Sequence, residues 1–295
     1  MSRSDLLQAA LSQKSSSFYA RLALSTLDFT SLNDNDSNET IMVLCKHALS
    51  SPEPVAAICV YAQFAGLVRK AFQENQYHAN VATVVNFPHG TNSIEEVIAE
   101  TKGCLDDVDE VDLVWPFDKY IQGDKEAACK MISEIKKTIL EYNQTIPSQR
   151  NPVQLKVILE TSAFPGEMIY DACVDSIRAG ADFLKTSTGK HSAGGATLEV
   201  AYDMLRAIKD VKDQDGKNAN IKISGGVKTV DQAAAYIWLA ERFMSGSDEA
   251  LTEGKEKERW VNAKRFRIGA SGVFDELVHV LEPDSERMVQ GGSNY

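Results

Sequence analysis

The chain has 295 residues, of which 43% are hydrophobic and 25% charged, with a formal net charge of −11; these are the proportions of a globular protein large enough to bury a substantial core. The acidic balance excludes a broad nucleic-acid or anionic-membrane surface, because both reward clustered lysine and arginine, but it leaves room for a phosphorylated small molecule at a locally basic site. No apolar run reaches the length of a membrane span and residues 1–17 lack a signal-peptide core, so a cytoplasmic protein is expected, with Cys45, Cys59, Cys104, Cys129 and Cys173 as scattered reduced thiols.

Taken in order, residues 5–24 carry apolar side chains at helical spacing (Leu6, Leu7, Ala10, Leu11, then Phe18 onward) and predict an extra N-terminal helix that flanks the core. A first strand at 27–30 and a helix at 40–49 follow, separated by a polar turn at 33–39. The same alternation recurs as strand 56–61 with helix 64–74, strand 81–87 with helix 94–105, and strand 111–115 with helix 126–142. It continues as strand 155–160 with helix 168–178, strand 183–187 with helix 198–208, strand 221–224 with helix 233–243, and strand 265–270 with helix 273–281.

Most strand positions are apolar, the pattern of strands covered on both faces. Eight consecutive strand–helix units in α/β order predict a (β/α)8 barrel, spanning 1–295 as a single domain, in preference to an open doubly wound sheet; no Gly-x-Gly-x-x-Gly follows the first strand. Residues 143–152 and the charged insertion at 245–258 fall outside the repeat and are expected to be solvated loops. The glycine-rich end, Gly291 to Tyr295, reads as a flexible C-terminal tail.

A barrel of this kind places its active site at the carboxyl ends of the strands. Polar residues on or just after those ends are Asp28, Cys59, Asn86, Asp112, Lys156, Glu160, Lys185, Lys222 and Ser271, too many ionisable groups for an ordinary core. Lys185 shares strand parity with Phe183 and so points inward, where an ammonium is costly and a neutral amine is a nucleophile suited to carbonyl chemistry. Lys222 lies on the adjacent strand, and two lysines side by side lower the proton affinity of at least one. The sequence does not say which; both could instead be held in buried ion pairs with Asp112 or Glu160. Asp112 interrupts an apolar strand and suits either a proton shuttle or a counter-ion.

Gly225-Gly226 after strand seven, and Gly269-Ala270-Ser271-Gly272 at the end of strand eight, present backbone amides where such barrels bind phosphate; Gly189-Lys190 after strand six adds an amide and a cation. The histidines carry no metal-ligand spacing: His47 and His279 fall on helices, His78 precedes a strand, and only His89 and His191 lie near the catalytic face. A metal-free, cofactor-free reaction is expected, with His89 as a turn residue. Cys59, if it faces the interior, would meet reactive aldehydes.

The segments Phe183-Leu184-Lys185-Thr186-Ser187-Thr188-Gly189-Lys190, Glu110-Val111-Asp112-Leu113-Val114, Asn86-Phe87-Pro88-His89-Gly90 and Gly225-Gly226-Val227 resemble the 2-deoxy-D-ribose-5-phosphate aldolases, in register over nearly the whole chain. The resemblance implies a class I lyase that cleaves deoxyribose phosphate to glyceraldehyde 3-phosphate and acetaldehyde. It casts Lys185 as the Schiff-base lysine, Lys222 as the cation beside it and Asp112 as the acid/base partner. It adds Asp28 and Lys156 to the site, matches Gly189, Lys190, Gly225, Gly226, Gly269 and Ser271 to the phosphate positions, and gives Tyr295 a part in proton transfer. Gly272 stands where relatives carry a second serine and Lys228 where they carry arginine, and the 245–258 insertion is longer than in relatives. Partners implied are phosphosugar and aldehyde substrates and a homodimeric mate. Chemistry alone leaves open another Schiff-base phosphosugar aldolase or transaldolase, or a non-catalytic barrel that binds a phosphometabolite.

Overall fold

A computed structural model describes residues 1–283. Helices α1 (Arg3–Leu11) and α2 (Ser17–Ser25) precede β1 (Leu27–Thr30), α3 (Asn38–Leu49), β2 (Ala57–Val60), α4 (Ala62–Glu74), β3 (Asn80–Val85), α5 (Ile94–Cys104) and β4 (Glu110–Val114). A short α6 (Phe117–Ile121) and a long α7 (Lys125–Asn143) lead to β5 (Gln154–Ile158), α8 (Ile169–Ala179) and β6 (Phe183–Lys185). The repeat ends with α9 (Leu198–Asp215), β7 (Asn220–Ser224), α10 (Val230–Ser245), β8 (Phe266–Ala270) and α11 (Phe274–Leu281). The strands pair in parallel from β1 through β8, and β8 returns to β1, so the barrel expected from the repeat is closed.

Strand parity divides the core in two. Leu27, Phe29, Ile58, Val60, Val81, Val111, Leu113, Leu155, Val157, Leu184, Ile221, Ile223, Phe266 and Ile268 pack outward into the layer shared with the helices. The alternate residues face inward. On β2 and β3 they are small and apolar, with Ala57, Cys59, Ala82 and Val84 forming a separate cluster under Leu32. On the other strands they are mostly charged, at positions that interrupt otherwise apolar runs.

Two local expectations change. The N-terminal helix is two helices, because the serine-rich 12–16 segment offers caps rather than helix interior: Ser12 ends α1, and Ser16 accepts from Tyr19 N at 3.2 Å to start α2. The sequence gives no sign of α6, a single turn whose Phe117 and Tyr120 are buried. The 245–258 insertion is largely solvated, as expected, with Ala250 buried within it. Its base is tied down by Glu241 of α10, a fully buried carboxylate that accepts from Trp260 N at 3.2 Å and Val261 N at 2.8 Å. Trp238 Nε1 donates to Asp248 at 3.0 Å, and Arg259 Nε donates to the Ala250 carbonyl at 3.0 Å. No helix among the described residues is long and apolar enough to cross a membrane.

Glu241→Ala strands two backbone donors, that of Val261 buried and that of Trp260 half-buried, and is expected to cost about 2 kcal/mol. Denaturant unfolding should show the loss, and limited proteolysis should cut the 246–258 segment faster than in the parent. Unchanged stability and cleavage would mean that the segment is held by other contacts.

Candidate active site

The inward parity of six strands brings seven ionisable side chains into one cluster. β4 contributes both Glu110 and Asp112, two residues apart and therefore on the same face. Lys185 of β6 and Lys222 of β7 are direct register partners, as are Asp112 and Lys156. Asp28 comes from β1 and Arg267 from β8. All seven are buried, none more than 2% exposed.

Asp112 is the hub. Its Oδ2 accepts from Lys185 Nζ at 2.8 Å and from Lys222 Nζ at 2.7 Å, while Oδ1 faces Lys156 Nζ at 3.5 Å and accepts no hydrogen bond among the described residues. Lys222 also pairs with Asp28 Oδ2 at 2.5 Å, and Lys156 donates to the same oxygen at 3.1 Å and to Glu110. Below them Arg267 spans two carboxylates, donating to Glu110 Oε1 at 2.6 Å and to Asp28 Oδ1. Phe183 forms the apolar floor, its ring centroid 5.6 Å from Lys156 Nζ and 5.8 Å from the Arg267 guanidinium carbon.

The proton affinities follow from this wiring. Burial lowers the Lys185 amine from its ordinary value; Asp112 pulls it back up, and Lys222 pushes it further down, so the net direction is down. Burial acts on Lys222 and Lys156 in the same sense, but Asp112 and Asp28 hold Lys222 well above the ordinary lysine value, and with Glu110 they also raise Lys156. Burial opposes ionisation of Asp112 and Asp28, and the cations around each overcome it and hold both carboxyls below their usual range. Lys185 is thus the base with least compensation. Among the described residues it has a carboxylate contact to Asp112 alone, on an oxygen that Lys222 already uses.

Cys59 lies on the inward apolar face of β2, its thiol raised by burial and partly offset by Lys222. A cavity of about 450 Å³ opens at the carboxyl ends of β1 to β3 and reaches Val84 of that face, between Asn33, Tyr61, Gln63 and Phe87.

The glycines proposed for phosphate lie on the rim after β6 and β7. Gly189, Gly225 and Gly226 all have positive φ, which a side chain would strain, and Gly225 O accepts from Ala196 N at 2.9 Å. A Cβ on Gly225 would also come within 2.8 Å of Gly195 Cα. Ser224 Oγ donates to Ser187 O at 2.6 Å, locking the two strand ends together. Lys190 is exposed beside them, with its backbone N donating to Thr188 Oγ1 at 3.0 Å. Ser271 is buried just after β8, and Gly272 and Lys228 are exposed on the same rim. Gly269 has a different setting: it lies within β8, where a Cβ would sit 2.8 Å from Lys222 Cε and 3.0 Å from Ser224 Cβ. Its missing side chain makes room for Lys222.

Glu160, just past β5, adopts a left-handed backbone (φ 56°), and its Oε2 accepts from Thr188 N at 3.2 Å and Thr188 Oγ1 at 2.5 Å. It therefore braces the turn that follows Lys185. Asn86, also left-handed, is scaffold: its amide donates to Val114 O at 2.9 Å and its side-chain oxygen accepts from Asn92 N. His89 is exposed in that turn. Tyr295 lies outside the described residues. Sequence reasoning misses Glu110 and Arg267; the usable signal is parity, since Glu110 precedes Asp112 by two positions and Arg267 precedes Gly269 by two.

Residues 22–246 match the family model described as DeoC/LacD family aldolase. A deoxyribose-phosphate aldolase from Agrobacterium fabrum strain C58 is 39% identical over 264 residues, covering 89% of this chain and 91% of that protein. Among solved structures, a tetrameric deoxyribose phosphate aldolase from Aeropyrum pernix superposes with a TM-score of 0.69 at 22% identity, covering 96% of this chain and 100% of that one. A structure assigned as deoxyribose-phosphate aldolase from Toxoplasma gondii ME49 gives 0.73 at 23% identity, covering 90% and 95%. The two structures speak for the fold; the family match and the Agrobacterium relative, together with a buried lysine–carboxylate cluster at the barrel's centre, make this chain an aldolase of the DeoC/LacD family.

Proposed function

We propose that the protein is a class I aldolase that reversibly cleaves 2-deoxy-D-ribose 5-phosphate to D-glyceraldehyde 3-phosphate and acetaldehyde, with Lys185 as the Schiff-base residue. One observation carries the choice of lysine. Of the three buried lysines, Lys185 alone has a lowered proton affinity, while Lys156 and Lys222 are held as ammonium ions. The named relative supports the substrate.

In this reading the neutral Lys185 amine adds to the C1 aldehyde, and loss of water gives a protonated imine. The 3-hydroxyl gives up its proton as the bond between C2 and C3 breaks, and the bond's electron pair moves into the imine to form a neutral enamine. Asp112 Oδ1 is the oxygen available for that proton, directly or through a water, because Oδ2 is already occupied by two lysines. Glyceraldehyde 3-phosphate leaves, and the stored proton returns to the enamine carbon. Hydrolysis of the resulting imine then releases acetaldehyde and restores Lys185. The ammonium of Lys222 stabilises the ionised hub throughout, and Asp28 and Lys156 hold that ammonium and that carboxylate in place. The Gly189–Lys190 turn, the Gly225–Gly226 turn and Ser271 receive the phosphate, and Tyr295 assists exchange of the acetaldehyde methyl protons.

Treatment with acetaldehyde and borohydride, followed by peptide mapping, is expected to leave an ethyl group on Lys185. An ethyl group on Lys222 would keep the aldolase chemistry and exchange the two roles, and folded protein without an adduct would remove the Schiff base. Lys185→Ala should reduce cleavage to the uncatalysed background. Because the neutral amine is the reactive form and its proton affinity is lowered, trapping should persist well below the pH of about 10.4 at which a free lysine titrates; a midpoint at that pH would contradict the assigned environment. Gly269→Ala forces Lys222 aside and is expected to lower kcat about 10- to 100-fold, with a smaller change in KM. Steady-state kinetics on deoxyribose 5-phosphate, beside a thermal melt showing intact fold, decides this.

A further inference from the structure

Two members of the buried cluster do no chemistry in the mechanism above. Glu110 and Arg267 lie one inward layer nearer the amino ends of their strands than Asp112 and Gly269, and neither reaches Lys185. Arg267 nevertheless touches both oxygens of Glu110, at 2.6 and 3.3 Å, and also Asp28. Through Asp28 and Lys156 these contacts continue to Asp112 and so to Lys185.

Among the described residues the cluster holds four bases, Lys156, Lys185, Lys222 and Arg267, against three carboxylates, Asp28, Glu110 and Asp112. In a dry interior an unbalanced charge is costly, so the cluster is most stable when one base is uncharged. Arg267 cannot be that base, since a guanidinium keeps its proton. Lys156 faces three carboxylates and Lys222 faces two, whereas Lys185 has only Asp112. The remaining groups acting on Lys185 are Lys222 from β7 and Cys59 from β2, and it in turn acts on Glu160 at the end of β5, which also feels His191.

We propose that Arg267 and Glu110 are positioning residues whose fixed, opposite charges set how many protons the lysines above them hold. Arg267 is the permanent cation that leaves the cluster one positive charge in excess, and the excess is relieved at Lys185. Remove it, and three lysines face three carboxylates, so Lys185 keeps its proton. Remove the Glu110 charge, and the excess grows, so Lys185 releases its proton more readily. This inference rests on Lys185 being the reactive amine, and the experiment separates the two.

The test uses the full chain and the rate at which acetaldehyde and cyanoborohydride ethylate Lys185, measured from about pH 5 to about pH 10. Arg267→Met is expected to move the acid limb of this profile to higher pH by about one unit or more, and Glu110→Gln to lower pH by a similar amount. The double variant should return the limb close to its original position, and Arg267→Lys, which keeps the charge, should leave the limb unmoved whatever its effect on rate. A merely structural role would change amplitude or stability without opposite displacements. Shifts in the same direction, or no shift in folded protein, would overturn the proposal. If Arg267→Met does not fold, the isosteric Glu110→Gln and the charge-keeping Arg267→Lys decide it alone: a lower limb in the first and an unmoved limb in the second support it, and any other pair overturns it. If the parent protein forms no adduct, the Schiff-base reading fails, and the pH dependence of Lys185 acetylation by acetic anhydride decides the charge inference by the same displacements.

Discussion

Charge balance among buried groups is the constraint on which this molecule depends. Seven ionisable groups point into the barrel, and none retains meaningful contact with solvent. Each would be strongly destabilising alone, and even ion pairs recover their desolvation cost only when every charge has partners in good geometry. The arrangement meets that condition by sharing: Asp28 and Asp112 each receive several cations, and Arg267 bridges two carboxylates. With four bases and three acids, sharing cannot satisfy every proton, and the shortfall falls on the lysine with the fewest carboxylates. In the proposed reading, the reactivity of Lys185 follows from that shortfall.

The barrel makes such sharing possible because it fixes parity and register together. Two residues on one strand, Glu110 and Asp112, face the same interior at successive levels, and neighbouring strands present their own pairs at matching heights. The interior is also divided laterally. The charged side chains come from β1 and β4 through β8, whereas β2 and β3 contribute Ala57, Cys59, Ala82 and Val84. These small apolar groups leave one side of the barrel interior uncharged, facing a wall of lysines and carboxylates. A cavity at the carboxyl ends of β1 to β3 reaches Val84, with Asp34, Asp36 and Glu100 also in its wall.

Much of this is legible in the sequence because it is periodic. Lys185 shares parity with Phe183, so its inward direction needs only the strand assignment, and the eight repeats of strand and helix fix the closed sheet. The same rule reaches Asp112, Lys156 and Lys222. Glu110 and Arg267 escape because a charged residue near the amino end of a strand ordinarily reads as a boundary or a solvated end; only the closed barrel turns those positions inward. Gly269 reads as a turn residue by composition, and the reason for it, the space taken by Lys222 Cε, is a contact between strands that local sequence does not encode. The two N-terminal helices differ in kind: the break at 12–16 is written in its serines. The tethering of 246–261 depends on Glu241, which looks like an ordinary helix glutamate until Trp260 and Val261 are brought to it.

The distribution of lysine and arginine in the cluster then has a physical logic. A guanidinium keeps its charge and fits two carboxylates with a rigid fork, so Arg267 between Asp28 and Glu110 supplies a cation that nothing nearby can discharge. An ammonium is compact and changes its proton affinity readily when buried, so the three positions above it are lysines. Two of these are stabilised as cations by multiple carboxylates, and the third is left to respond. In the proposed reading, arginine at 185 would remove the nucleophile, since a guanidinium keeps its proton. In the proposed reading, a fixed charge below and an adjustable one at the reactive end is the order that keeps one amine neutral while its neighbours remain charged.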